Sequence, residues 1–215
     1  MKAVNVLAGL AMVVLLAGCG TKVPPAVDPI LNVYDNYNRP IPGVYVLIQD
    51  PDLKRLNREV KTSSMACSSQ NNLDVGTPLS HSLSRTMDNV FATLLHQEVP
   101  PTTEELSRLN ATGVIRLKLQ DFQTKLEFSS MLIKEKATAT VSITLGASVT
   151  DSKGNSRDYS GGGSRVVTGE DGGSTCEIGA LAMTSAIQQT MRDALERLAG
   201  QLANAPELRP GPVVK

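Results

Sequence analysis

Serine and histidine stand side by side in Ser80-His81-Ser82, and these residue types suit hydrolysis by a serine nucleophile. Such chemistry needs the nucleophile within hydrogen-bond reach of its base, and the base needs an orienting partner. The segment lies in a predicted helix, where neighbouring residues point about 100° apart and do not face each other. The chain also lacks the G-x-S-x-G motif that exposes a nucleophilic serine. We therefore predict a solvated His81, no catalytic residues and no enzyme activity.

No residue pattern indicates a bound metal or cofactor. The sequence has no C-x-x-C pair, and its two histidines, His81 and His96, stand alone. We place His96 near the end of a predicted helix, where its charge favours the helix dipole. The glycine-rich stretches SGGGS and GEDGG lack the Lys-Ser/Thr that follows a phosphate-binding loop. We interpret them as flexible hairpin loops and predict neither a metal site nor a cofactor.

Acyl transfer to a thiol is the chemistry indicated at Cys19. Lys2 and an apolar run to Leu16 precede this cysteine, and the run ends on the small residues Ala17 and Gly18. The run is shorter than the roughly 20 residues of a transmembrane helix, and its layout is that of a secretory signal. The stretch LAGC resembles the lipobox of bacterial lipoproteins, in which the cysteine thiol receives a diacylglycerol and the chain is cut before it.

This resemblance implies a lipoprotein signal peptide over 1–18 and a membrane anchor on Cys19. One acyl chain binds a membrane reversibly, whereas two or three anchor firmly. Gly20 follows, instead of the aspartate that retains enteric lipoproteins at the inner membrane, which implies the periplasmic face of the outer membrane. A plain signal peptide with an incidental cysteine, or an uncleaved helix, is the alternative interpretation.

Two further cysteines, Cys67 and Cys176, form an even pair once Cys19 is assigned to lipid. An oxidising compartment favours a disulfide between them. A crosslink that closes a loop of about 100 residues stabilises a fold by roughly 4 to 5 kcal/mol in the chain-entropy model. We predict this disulfide, with two buried free thiols as the alternative.

The charge balance argues against nucleic acid as a partner. The chain has 21 Lys+Arg and 21 Asp+Glu, and cutting before Cys19 removes only Lys2, which leaves a net charge of about −1. Binding to nucleic acid or to an anionic membrane face needs clustered basic residues. Tryptophan is absent and aromatic residues make up 3% of the chain, which argues against a lectin-like role.

The remaining chain predicts one α+β domain over 41–204. A proline-rich tether over 19–40 precedes it, and we predict a disordered tail over 205–215. The apolar run VYVLI at 44–48, bounded by turn residues, predicts a strand buried on both faces. The stretch 59–65 predicts a second, poorer strand.

Two long amphipathic helices are predicted from apolar stripes. The first covers 78–96, with Thr77 as N-cap and a stripe from Leu79 to Leu94. The second covers 177–203. A capping box at Thr102 and Glu105 predicts a short helix between them.

The stretch 137–149, ATATVSITLGASV, alternates strictly between apolar and polar residues and predicts a long strand. The preceding stretch alternates too but changes phase near Asp121, which predicts a β-bulge. A turn at 151–155 leads to a third strand over 157–167, weakened by its glycine run. We therefore predict an antiparallel sheet of long strands, packed on one face by the two amphipathic helices.

The order of elements resembles that of small outer-membrane lipoproteins of the YajG-like kind, and of the wider group with a core like the N-terminal domain of TolB. The stretches that carry the resemblance are GVYVLIQD, LSHSLSRTMDNVFATLL, ATATVSITLGASVTDSKGN and IGALAMTSAIQQTMRDALERLAGQL. The group includes curli and polysaccharide export lipoproteins, and it supplies no catalytic residues to carry over.

One face of the long predicted strand is uncharged, and it is our candidate partner face: Thr138, Thr140, Ser142 and Thr144. A solvated face usually carries Lys and Glu, so these residues indicate contact with another subunit or an extended ligand. A simple uncharged outer face is one alternative. Membrane-spanning barrel strands also alternate, but the charges of the neighbouring strand oppose that interpretation.

We therefore predict a non-enzymatic outer-membrane lipoprotein that acts as a periplasmic binding or assembly subunit of a cell-envelope machine. Its partners are a membrane, through the lipid anchor, and either an envelope protein or other copies of itself. One alternative is a ring component of a secretion or export channel. Another is a lipid or lipopolysaccharide handling factor, which needs an apolar cavity between sheet and helices.

Overall fold

The computed structural model describes residues 36–37, 39–60, 71–131, 134–169 and 175–209. The predicted signal peptide, the lipidated Cys19 and Cys67 lie outside these residues, so the anchor and the Cys67–Cys176 disulfide stay predictions.

The described chain forms strands and helices in the order β-α-β-β-α-β-α-β-β-β-α. The strands are β1 Ile41–Gln49, β2 Asn57–Val60, β3 Asn71–Asp74, β4 Phe91–Gln97, β5 Gly113–Met131, β6 Lys134–Asp151 and β7 Ser156–Gly169. The helices are α1 Pro51–Lys54, α2 Gly76–Val90, α3 Thr103–Arg108 and α4 Thr175–Ala203, followed by a 3-10 helix at Pro206–Leu208.

The main sheet is mixed and has the strand order β4-β1-β5-β6-β7, while β2 and β3 pair separately. Strands β5, β6 and β7 are antiparallel neighbours, as predicted, but β1 runs parallel to both β4 and β5. The prediction of an antiparallel sheet is therefore wrong for β1, and β4 was not predicted as a strand. Parallel neighbours need a crossover connection, and α2 and α3 lie in the two crossovers.

Strand β1 lies in the middle of the parallel part and is buried on both faces, as predicted. Tyr45 and Leu47 belong to the main core, which α2 and α4 complete. Val46 and Ile48 point to the opposite face, into a small cluster with Leu106 and other residues around α3. The capping box of α3, between Thr102 and Glu105, is confirmed.

The first long helix is shorter than predicted. Helix α2 ends at Val90, and Phe91 is already extended (φ −109°, ψ 139°), so Leu94 and His96 lie in β4. The predicted N-cap at Thr77 is also wrong, because α2 begins at Gly76 with Val75 as its N-cap, and Thr77 lies inside the first turn. Leu94 has the spacing of the apolar stripe of α2, but it lies in β4 and not in the helix.

The long strands have the predicted alternation and bulge. The register between β5 and β6 shifts between Leu119 and Asp121, which leaves Gln120 as the extra residue. The apolar residues of β6 from Ala137 to Val149 are buried against the helices. The second predicted helix is confirmed as α4.

The glycine run 161–163 lies inside β7 and is not a flexible loop. A Cβ at Gly161 would overlap the backbone of α4 at Ala194 and Leu198, and one at Gly163 would overlap Thr190. These two glycines therefore let α4 lie directly on the strand.

The start of the predicted disordered tail is ordered. After the 3-10 helix, Arg209 is buried and donates hydrogen bonds to the Ala203 carbonyl (2.7 Å) and the Arg39 carbonyl (2.9 Å). Its guanidinium lies 4.1 Å from the centre of the Tyr37 ring. Arg209 thus holds the end of the tether against the domain.

Candidate functional site

The four residues of the predicted partner face lie in a row on β6. Their side chains point away from α4, because the residues between them, such as Val141 and Ile143, are fully buried in the core. We call this side of β5, β6 and β7 the open face, since its β7 residues are mostly exposed. The structure therefore brings Thr138, Thr140, Ser142 and Thr144 together on one surface.

The two flanks of this row differ in charge. Opposite the four residues, in chain order, lie Glu127, Lys125, Gln123 and Asp121 on β5, and Thr168, Val166, Ser164 and Gly162 on β7. On the β5 side, Lys125 and Glu127 form an exposed ion pair at 2.9 Å. The open face is thus charged along β5, and it is uncharged along β6 from Thr138 to Thr150 and along most of β7.

Hydroxyl groups dominate the uncharged part. The hydroxyls of Thr138 and Thr168 lie 3.5 Å apart across the strands, and those of Ser148 and Ser156 lie 3.1 Å apart. A hydroxyl both donates and accepts hydrogen bonds. The surface can therefore match a polar backbone or hydroxyl-bearing partner without a fixed charge of its own.

The β-bulge closes one part of this surface. The Gln120 side chain lies over Gly146, so that a Cβ on this glycine would stand 2.6 Å from the Gln120 amide nitrogen. The bulge residue therefore covers the backbone of β6 just beyond the hydroxyl row.

Ser80, His81 and His96 line a cleft of about 460 Å³ at the ends of β1 and β4, whereas Ser82 is buried and does not line it. The Ser80 hydroxyl donates a hydrogen bond to the side-chain oxygen of Gln49. The side-chain amide nitrogen of Gln49 donates to the Ser84 hydroxyl at 2.6 Å. His96 Nε2 lies 2.8 Å from a carboxylate oxygen of Asp88. Ser80 and Ser84 therefore position the side chain of the buried Gln49. His96 lies on strand β4, so its predicted place near a helix end is wrong.

A second cleft, of about 780 Å³, lies at the opposite end of β1, between the β6–β7 turn and the 3-10 helix. The Tyr159 hydroxyl donates to Glu207 at 2.9 Å beside it. Burial raises the pKa of Tyr159, and the hydrogen bond to Glu207 raises it further. Sequence reasoning missed this cleft because it assigned 205–215 to a disordered tail, although Pro206 after a helix end is a signal for a new turn.

The described residues contain no group of three or more His, Cys, Asp and Glu side chains that could hold a metal ion. No helix within the described ranges is both long enough and apolar enough to span a membrane.

Comparison with known proteins assigns no family: no family model matches the chain, and no curated protein matches it. Among solved structures the chain is similar to a protein of family DUF330 from Xanthomonas campestris, with 12% identity and a TM-score of 0.43 over 82% of this chain and 96% of that one. It is also similar to a minor lipoprotein from Acinetobacter baumannii, with 9% identity and a TM-score of 0.36 over 74% and 90%. These values are too low to assign a function or a partner, and the resemblance to YajG-like lipoproteins stays a prediction.

Proposed function

We propose that the protein is a non-enzymatic lipoprotein of the outer membrane that acts as a periplasmic binding or assembly subunit of a cell-envelope machine. Cys19 carries the lipid anchor, and the open face binds a protein of that machine. The observation that carries this proposal is the uncharged hydroxyl row from Thr138 to Thr144, which the helices leave uncovered.

The open face suits a partner because covering an uncharged hydroxyl row costs little free energy. Burying a charged side chain without a partner is far more costly than burying a hydroxyl that finds a hydrogen bond. Because β6 and its β7 neighbours offer hydroxyls and no charge over this stretch, a partner can exclude water from them with little penalty. The β5 flank, with Lys125 and Glu127, supplies charges at the rim, where they set orientation.

The last residues of the tether are attached to the domain. Arg209 binds the Arg39 carbonyl, and the Asn204 side chain accepts from the Asn36 backbone N–H at 2.8 Å. Both contacts fasten the last tether residues to the C-terminal end of α4. The tether therefore joins the domain beside the C-terminal end of α4.

The test is photo-crosslinking in intact cells with a reactive amino acid at Thr140. The control is Thr93, an exposed threonine on the edge strand β4, which is not part of the open face. We expect a discrete heterologous adduct from Thr140 that Ser142→Arg abolishes and that Thr93 does not give. Equal adducts from both positions, or none from Thr140, would contradict the proposal.

The anchor is tested separately with Cys19→Ser. We expect this variant to accumulate as an uncleaved precursor or to leave the membrane fraction. A processed variant that stays membrane-bound would show that Cys19 is not the anchor.

A further inference from the structure

The outer edge of β7 is closed over one half and open over the other. Strand β7 is the last strand of the main sheet, and in the described part of the chain no strand pairs with its outer edge. At one end, α4 caps this edge: Gln201 accepts from the Ser160 backbone N–H at 3.1 Å, and Arg197 donates to the Gly162 carbonyl at 2.9 Å. Side chains that satisfy outward backbone groups are a common protection of edge strands.

The other half, which we call the open edge, covers residues 164–168. Backbone groups alternate in direction along a strand. Ser164, Val166 and Thr168 therefore point their N–H and C=O groups outward, as Ser160 and Gly162 do. Within the described residues, none of these outward groups forms a hydrogen bond.

The open edge also exposes an apolar side chain and lacks net charge. Val166 is 64% exposed, and no other large hydrophobic side chain among the described residues of the main sheet is exposed. Arg165, the one charged residue in the stretch, is neutralised on the helix face by two hydrogen bonds to Asp193 (2.6 and 2.9 Å). A strand that pairs here must therefore be short, uncharged and extended.

The open edge meets these requirements itself. We propose that the open edge of β7 pairs with the open edge of a second copy of this chain, antiparallel and centred on Val166. Val166 then lies opposite Val166 of the second copy, and Ser164 lies opposite Thr168. Each of these pairs exchanges two backbone hydrogen bonds, because all three residues direct their groups outward.

Charge and polarity complement each other in this arrangement. Arg165 lies beside Val167 of the second copy, so that no like charges stand opposite each other across the edge. The hydroxyls of Ser164 and Thr168 face each other and extend the hydroxyl rows of the open face. The two-fold arrangement closes on itself and gives a dimer, not a ring.

Disulfide trapping tests the register directly, with the full chain in intact cells. Directly opposed residues of such a pair have Cα atoms about 5.5 Å apart, within the range that a disulfide spans. We expect Val166→Cys to crosslink to itself at least about tenfold faster than Val99→Cys, an exposed control outside the sheet (71% exposed).

The register predicts a second result. Ser164→Cys should crosslink slowly with itself, because the two copies place these residues about 13 Å apart along the strand. Mixing Ser164→Cys with Thr168→Cys in differently tagged copies should restore fast crosslinking. Equal rates for Val166→Cys and Val99→Cys, or no preference for the mixed pair, would overturn the proposal. The pairing uses the outward backbone groups of β7, whereas the test at Thr140 reports contacts above the face of β6, so either result leaves the crosslinking test at Thr140 independent.

Discussion

The two faces of β6 are built from the same stretch of chain and differ in every physical property. On the helix face, residues such as Val141, Ile143 and Leu145 are fully buried and apolar. On the open face, Ser142 and Thr144 are half-buried and polar. Side chains alternate along a strand, so one stretch fixes both the interior of the domain and the surface available to a partner. Substitutions of the hydroxyl residues on the open face should therefore leave the fold intact.

The largest contrast is expected between Ile143→Ala and Ser142→Ala. Truncating a fully buried isoleucine removes apolar contacts and leaves a cavity, which costs about 2 to 5 kcal/mol. Removing one hydroxyl from the open face should change the free energy of unfolding by less than about 0.5 kcal/mol. Urea denaturation of the two variants checks this. Similar losses in both would show that the open face is part of the core.

Two neighbouring glycines of β7 make the same comparison with one added methyl group. In Gly161→Ala the new Cβ overlaps backbone atoms of α4, which cannot move cheaply, so we expect a loss of about 1 to 3 kcal/mol. In Gly162→Ala the nearest atoms lie at 3.5 Å, and stability should be unchanged or slightly higher. Thermal unfolding distinguishes them, and equal shifts would refute the close contact between β7 and α4.

Gly146 is an intermediate case, because an added methyl group would meet a side chain instead of backbone atoms. Its substitution by alanine meets only the end of the Gln120 side chain, which is flexible. We expect Gly146→Ala to cost less than about 1 kcal/mol, and the double variant with Gln120→Ala to recover the loss. A cost as large as that of Gly161→Ala would show that the bulge holds Gln120 rigidly.

The smallest effect is a pH dependence at the turn between β6 and β7. Asn155 donates from its side chain and its backbone N–H to the Asp151 carboxylate, which lowers the pKa of Asp151. A lowered pKa stabilises the fold fully above the unfolded value of about 3.9, and this stabilisation is lost as pH falls through the folded value. Asp151→Asn should remove that part of the acid dependence, as urea midpoints at pH 3 and pH 7 would show. An unchanged dependence would contradict this assignment.

Features set by local alternation were predictable from the sequence. The long β6 strand, the bulge near Asp121 and helix α4 all follow from spacing that changes phase or period within a few residues. The candidate partner residues were placed together for the same reason, because every second residue of one strand shares a face.

Features set by distant contacts were not predictable. The parallel pairing of β1 with β4 depends on how the chain crosses over, which local alternation does not record. Strand β4 was missed because α2 passes directly into it without a glycine or proline, and Leu94 happens to fit the helical stripe. The glycines of β7 were misread because only the approach of α4 explains them.

The central claim, that the open face is covered by a partner in the cell, is tested most directly by labelling rates of Thr140→Cys. A thiol reagent would be applied to intact outer membranes and to the purified protein in detergent, with Thr93→Cys as the control and the unsubstituted chain as background. We predict that Thr140→Cys is labelled at least about tenfold more slowly in membranes, while Thr93→Cys reacts equally in both. Equal rates for Thr140→Cys in membranes and in detergent would contradict the account.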